Sequence, residues 1–191
     1  MKIVATLLLL FPLIGNAQQL PYETLSPYPN DFSAGKVAAR TIDGLGFRFY
    51  WATDGLREND LSYKPSADAR TSLETIAHIY EMSFLVVNAA LKKENVGGQD
   101  INLPFAEMRK KTLENLKTAS DALKNLSDEQ MKDCKIMFTL DGKKQEYPFW
   151  NLINGPLEDC IWHVGQIVSF RRASGNPFSD KIDLFSGAGP K

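Results

Sequence analysis

Histidine and cysteine are scarce in this chain, two of each, and neither sign of charge dominates: 22 Lys and Arg stand against 23 Asp and Glu, for a net charge of −1. These shortages exclude several functions. No paired-cysteine zinc motif is present, because Cys134 and Cys160 stand alone. Near-neutral charge leaves no electrostatic footprint for nucleic acid, and no nucleic-acid motif accompanies it. A phosphate-cradling glycine loop and a Ser/His/Asp set are also missing. The apolar run from Ile3 to Ile14 falls short of the about 20 residues that a bilayer span needs, so no stable membrane anchor is expected.

That run reads instead as the core of an export signal over residues 1–17. Lys2 supplies the charge, Ile3 to Ile14 the apolar region, and Gly15-Asn16-Ala17 the small residues suited to cleavage before Gln18. No cysteine follows it for lipid attachment. Cleavage removes one Lys and no acid, and places the protein in the periplasm or outside the cell. In that oxidising setting Cys134 and Cys160 are permitted a disulfide, and free buried thiols are equally compatible with the sequence. Cys160, next to Asp159, also admits a reading as a site thiol.

The rest of the chain is long enough for one domain with a sizeable core, and its 43% hydrophobic content suits a globular protein. Residues 18–32, with Pro21, Pro27 and Pro29, read as an extended lead-in, residues 33–176 as the domain and residues 177–191 as a tail. A first helix is expected from about Ser33 to Gly55, with Ala38, Ile42, Leu45 and Phe49 on one stripe, although Gly44 and Gly46 weaken it. Thr71-Ser72-Leu73-Glu74 has the form of a capping box, which starts a second helix at Ser72. Its buried stripe should be Ile76, Tyr80, Val87 and Leu91, with His78, Met82 and Leu85 on another side and Glu74 and Glu81 solvated. Pro104 opens a third helix whose seam is Leu116, Ala119, Leu123 and Leu126, and Arg109-Lys110-Lys111 reads as its wet face. Asp141-Gly142 between two strand-like runs predicts a tight hairpin. The last helical region opens near Pro148 and is interrupted at Asn154-Gly155-Pro156, since proline lacks the helix amide and crowds the preceding turn. Beyond it, Leu157, Ile161, Val164 and Val168 should be buried, and Asp159, His163, Gln166 and Phe170 share the other side. Arg171 and Arg172 at the end suit the helix macrodipole.

The chemistry-bearing residues are few. Asp159 and His163 are four apart, so on a helix they project side by side and can share one metal ion. His78 is the only other histidine. Together they would form a two-histidine, one-carboxylate set, with Gln166 orienting a ligand or a bound water by hydrogen bond. Spacing alone makes this a weak signal, because an Asp and a His at i and i+4 are commonplace on wet helix faces, and His78 alone reads more simply as a packing residue.

The run His163-Val164-Gly165-Gln166-Ile167, followed by Arg171 and Gly175 and preceded by His78 on an earlier helix, resembles the DinB/YfiT-like family of four-helix-bundle metalloproteins. The resemblance extends over roughly residues 35 to 175 and is sharpest at the His-x-Gly-Gln motif. It implies an all-α four-helix bundle, here with a small β-hairpin inserted before the last helix. It also implies a divalent-metal site in which a second-helix histidine joins two last-helix residues, that is His78, Asp159 and His163. Where the family usually has a histidine four residues before the motif, this chain has Asp159. A carboxylate is a competent ligand for zinc, nickel, iron or manganese, so the change alters metal preference; equally, it fits a site that has lost its metal.

Two functions follow as expectations. One is an exported metal-dependent enzyme of hydrolase or thiol-dependent transferase type. The other is a non-catalytic periplasmic binding protein with a degenerate or absent metal site. Low-molecular-weight thiols should be scarce outside the cytoplasm, which disfavours thiol transfer. Both readings take a small-molecule ligand, exclude nucleic acid and leave homodimerisation open.

Overall fold

The computed structural model describes residues 19–97, 100 and 102–190, so the expected export signal over residues 1–17 lies outside the described residues. Four long helices dominate: α1 (Ala34–Thr53), α3 (Ser72–Ala90), α4 (Phe105–Leu123) and α7 (Glu158–Ala173). Single helical turns, α2 (Glu58–Leu61), α5 (Asp128–Met131) and α6 (Phe149–Leu152), punctuate the connections. The helices pack in a ring, with α1 and α3 each touching both α4 and α7. Their shared core includes Ile42, Phe49, Ile76, Leu116 and Ile167, which burial removes almost completely from water.

Local chemistry accounts for the helix limits. At the start of α3 the Glu74 amide donates to the Thr71 hydroxyl at 3.1 Å, while the Thr71 amide donates to the Glu74 carboxylate at 2.7 Å. Two orphan amides are thereby satisfied reciprocally. In α1, Ala38, Ile42, Leu45 and Phe49 are all buried, as their spacing predicts. Gly35 and Gly46 do not break this helix, because close approach requires them. A Cβ on Gly35 would lie 2.4 Å from the Leu123 carbonyl oxygen, and one on Gly46 would meet the Tyr22 ring at 2.4 Å. The lead-in is thus held on α1 through Tyr22, and Leu25 donates its amide to the Gly187 carbonyl, tying lead-in to tail.

Strands β1 (Lys135–Leu140) and β2 (Lys143–Pro148) form an antiparallel sheet, turning through Asp141 and Gly142, both at positive φ (50° and 72°). That is the backbone a two-residue hairpin of this kind demands. The expected all-α four-helix-bundle class is corrected by this sheet, which is part of the packed body and no appendage. Ile136 on β1 is 5% exposed and joins the main core, β1 packs on α3 and α6, and the Asn95 amide donates to the Met137 carbonyl at 2.8 Å. The fold is therefore helical with a small antiparallel sheet built into one end.

Between α6 and α7 the chain makes a π-helical turn, Ile153–Leu157, that contains Pro156. Proline cannot donate an amide, and a widened turn accommodates its ring without ending the helix. On α7, Cys160, Val164, Ile167 and Arg171 are buried, whereas the expected Ile161 is 40% exposed. Leu91, expected in the buried stripe of α3, is likewise exposed at that helix's end.

Candidate metal centre

Helix α7 presents Asp159 and His163 toward α3, and α3 presents His78 to them. The His78 Nε2 lies 2.9 Å from Asp159 Oδ2, and the His163 Nε2 lies 3.4 Å from Asp159 Oδ1. One carboxylate therefore stands between two imidazoles, using a different oxygen for each. The rings meet edge to face with centroids 4.8 Å apart. All three candidate ligands come together, with a donor atom from each lying within 4.8 Å of the others. They are half-buried, with 14% of the His163 side chain, 22% of His78 and 38% of Asp159 exposed.

One imidazole is also engaged on its outer side. The His163 Nδ1 is 2.7 Å from Gln166 Oε1, an acceptor, which suits the tautomer that carries its hydrogen on Nδ1 and its lone pair on Nε2. That lone pair faces the Asp159 oxygen. Two electron-rich atoms at 3.4 Å repel unless a proton or a cation stands between them. Gln166 thus occupies the position that sequence reasoning gave it, although its own side chain is exposed. Glu81 approaches His78 Nδ1 to 4.0 Å, one helical turn along α3. Sequence reading took Glu81 as merely solvated, and nothing in its spacing marks it beyond the i, i+3 relation to His78.

Whether the residues fit a metal ion is decided by donor chemistry and distance. Donors bound at about 2.0–2.2 Å stand roughly 3–3.5 Å apart on a tetrahedral or octahedral ion. The 2.9 and 3.4 Å contacts lie close to this span but run to different oxygens of Asp159, and one donor atom from each residue falls within 4.8 Å of the others, so the side chains must draw in to share one ion. Two imidazoles and one carboxylate form a borderline donor set suited to zinc, nickel, iron or manganese. By donor type and convergence the three residues could hold a metal ion.

Cys160 does not belong to the centre. Its side chain is fully buried on the core side of α7 with Val164 and Ile167, and burial, aided by the Asp159 charge, pushes its thiol up to about 12. The converging group consists of His78, Asp159 and His163 without it. Cys134 is buried too, and both thiols are free, so the permitted disulfide is not formed. Phe170, grouped with Asp159 and His163 by periodicity, packs instead near the Tyr63 ring, 5.8 Å between centroids.

Beside Asp159 opens a cleft of about 490 Å³. Met82 and Leu85 of α3 line one wall, Ile136, Phe138 and Tyr147 of the sheet another, and Asn151, Asn154 and Pro156 the approach to α7. Sequence reasoning missed this cleft. Its only trace was that Met82 and Leu85 share a helical face with His78.

The other polar cluster on α7 lies at its far end. Arg171 is 6% exposed and donates to the carbonyls of Trp51, Ala52 and Asn176 at 2.8–3.0 Å. Arg109 reaches the same end of α1, donating to Thr53 Oγ1 at 2.9 Å and to the Tyr50 carbonyl at 3.2 Å. Arg171 stands in the last turn of α7, as expected, and its guanidinium also caps the orphan carbonyls of α1, whereas Arg109 is a capping residue where a solvated face was expected. Buried Asp60 completes the cluster, accepting from Arg57, Ser174 and Asn176. The Arg57 guanidinium, with help from Ser174 and Asn176, holds its carboxyl well below the usual range.

Comparison with protein-family models, with curated proteins and with solved structures found no match. Among the described residues no helix is long and apolar enough to cross a membrane.

Proposed function

We propose that this protein binds one divalent metal ion through His78, Asp159 and His163 and uses it in metal-dependent chemistry of hydrolase or thiol-dependent transferase type. The observation that carries the reading is the carboxylate of Asp159 set between two imidazole Nε2 atoms, at 2.9 and 3.4 Å. The Asp-for-His variant of the DinB/YfiT-like pattern agrees with it, and the export-like sequence of residues 1–17 agrees with an activity outside the cytoplasm. When bound, a divalent ion supplies Lewis acidity, easing proton loss from a coordinated water or thiol and polarising a substrate oxygen. The chain's own residues do the rest. His78 and His163 donate lone pairs, Asp159 offsets one positive charge, and Gln166 fixes the His163 tautomer by accepting from Nδ1–H. Three protein donors leave coordination positions for substrate.

A second reading rests on the same short contact. At 2.9 Å the His78 Nε2–H donates to Asp159 directly, and a cluster closed in this way suits a non-catalytic binding protein. Metal content separates the two. After reloading with zinc or nickel, the first reading expects one ion per chain in the wild type, loss of it in Asp159→Ala, and recovery in Asp159→His, which re-creates an i, i+4 imidazole pair. No stoichiometric metal in the wild type, or unchanged binding in Asp159→Ala, would reject it.

A further inference from the structure

The cleft beside Asp159 has a composition that selects a ligand. Its walls come from two elements brought together only by the fold. On α3, Met82 and Leu85 follow His78 at i+4 and i+7 and so continue its face along the helix. On the sheet, Ile136 and Phe138 alternate onto one face of β1, and Tyr147 is the direct cross-strand partner of Ile136. Phe138 and Tyr147 stand edge to face, 6.4 Å between centroids. Tyr147 is 41% exposed, an aromatic surface left at the cleft rim. Polar character comes from the Asn151 and Asn154 side chains, the Tyr147 hydroxyl and Asp159 itself, and among the described residues no Lys or Arg lines the cleft.

We propose that this cleft binds the uncharged aromatic body of a small ligand whose polar end reaches Asp159. Shape and charge both lead there. A flexible thioether and two aromatic rings offer the adaptable, polarisable contacts that a planar apolar group gains most from. The absence of any cation removes the means of holding a phosphate or sulfate away from the centre. Because the cleft runs up to Asp159, a ligand lodged against Phe138 and Met82 delivers its polar group to Asp159, the one member of the cluster that lines it. The sheet is thus the specificity-determining wall, which accounts for its packing against α3 at this end. The assignment of the polar end rests on the metal reading above; the assignment of the aromatic body does not.

Two probes test the parts separately. On zinc-loaded protein, calorimetric titration should find benzohydroxamate binding about tenfold tighter than acetohydroxamate, the effect of burying part of one phenyl ring. Phe138→Ala should cut that preference to about twofold, and Tyr147→Ala, at an exposed strand position that folding tolerates, should reduce it as well. On metal-free protein, benzamide but not acetamide should shift the methyl carbon–proton resonances of Met82, Leu85 and Ile136, and Phe138→Ala should abolish those shifts. Zinc binding with equal affinity for the two hydroxamates and silent methyl groups would overturn the cleft proposal and leave the metal centre standing. Absence of zinc binding with the benzamide shifts present would do the reverse.

Discussion

Helix α7 carries a polar cluster at each end, and the two are built on opposite principles. At its C-terminal end Arg171 is almost wholly enclosed and donates to carbonyls of α1 and of the turn beyond α7, while Asp60 accepts from three side chains. Such a network is complete within the chain. At the N-terminal end the Asp159 carboxylate faces two imidazoles, part of each group is open to solvent, and an apolar cleft leads up to it. The difference teaches that polar groups enclosed and mutually satisfied serve the fold, whereas partly exposed titratable groups converging beside a cleft are the candidates for function.

That contrast can be broken by variants at either end. Arg171→Ala should have the largest effect, leaving buried carbonyls of Trp51 and Ala52 without their donor and lowering stability by about 3 kcal/mol in chemical denaturation. Its zinc stoichiometry should not change. If zinc binding fell with a stable fold, the two ends would be coupled and the separation drawn above would fail.

Asp60→Asn should follow, at roughly 2 kcal/mol near neutral pH, since the carboxylate charge facing Arg57 is lost and an NH2 donor replaces one of two oxygens that both accept hydrogen bonds. The sign of its pH dependence is fixed. The folded carboxyl titrates below its unfolded value of about 3.9, so its contribution is complete above that value and is lost as pH falls toward the folded one. Denaturation midpoints against pH should therefore drop steeply on acidification in the wild type and less so in Asp60→Asn; parallel curves would remove Asp60 from the network.

Gln166→Ala sharpens the other side. Losing the acceptor on His163 Nδ1 should weaken zinc binding about tenfold in competition titrations with a chelating indicator, while melting of the metal-free protein stays put. The smallest effect is expected at Arg172, exposed and on the same last turn as Arg171. Arg172→Ala should change stability by less than about 0.5 kcal/mol, and a cost near that of Arg171→Ala would show that terminal charge, not capping, is at work.

What sequence could disclose divides along similar lines. The Thr71 and Glu74 cap, the α1 stripe and the Asp141-Gly142 hairpin were legible because each depends on residues close in the chain. The convergence of His78 with Asp159 and His163 was reachable only through family resemblance, since the spacing of Asp159 and His163 names two ligands and not the third. Three features were illegible for physical reasons. On α7 the buried residue one turn on from Leu157 is Cys160 at i+3, and a stripe taking the i+4 step chose Ile161, because both steps keep to one side of a helix and only packing decides between them. The roles of Arg109 and Arg171 depend on where a distant helix ends, which no local pattern reports. The sheet was anticipated as a hairpin, but its burial through Ile136 and its place as a wall of the cleft arise from tertiary packing alone.

The central claim, that His78, Asp159 and His163 hold one metal ion, is tested most directly by nitrogen NMR on protein labelled only in histidine, because the chain has just two histidines. Addition of one equivalent of zinc should move the Nε2 resonances of both His78 and His163 together to metal-bound positions in slow exchange. The Nδ1 of His163 should remain protonated against Gln166, and Asp159→Ala should convert the slow exchange to fast. Movement of only one histidine, binding through Nδ1 of His163, or a spectrum unchanged by zinc would contradict the account.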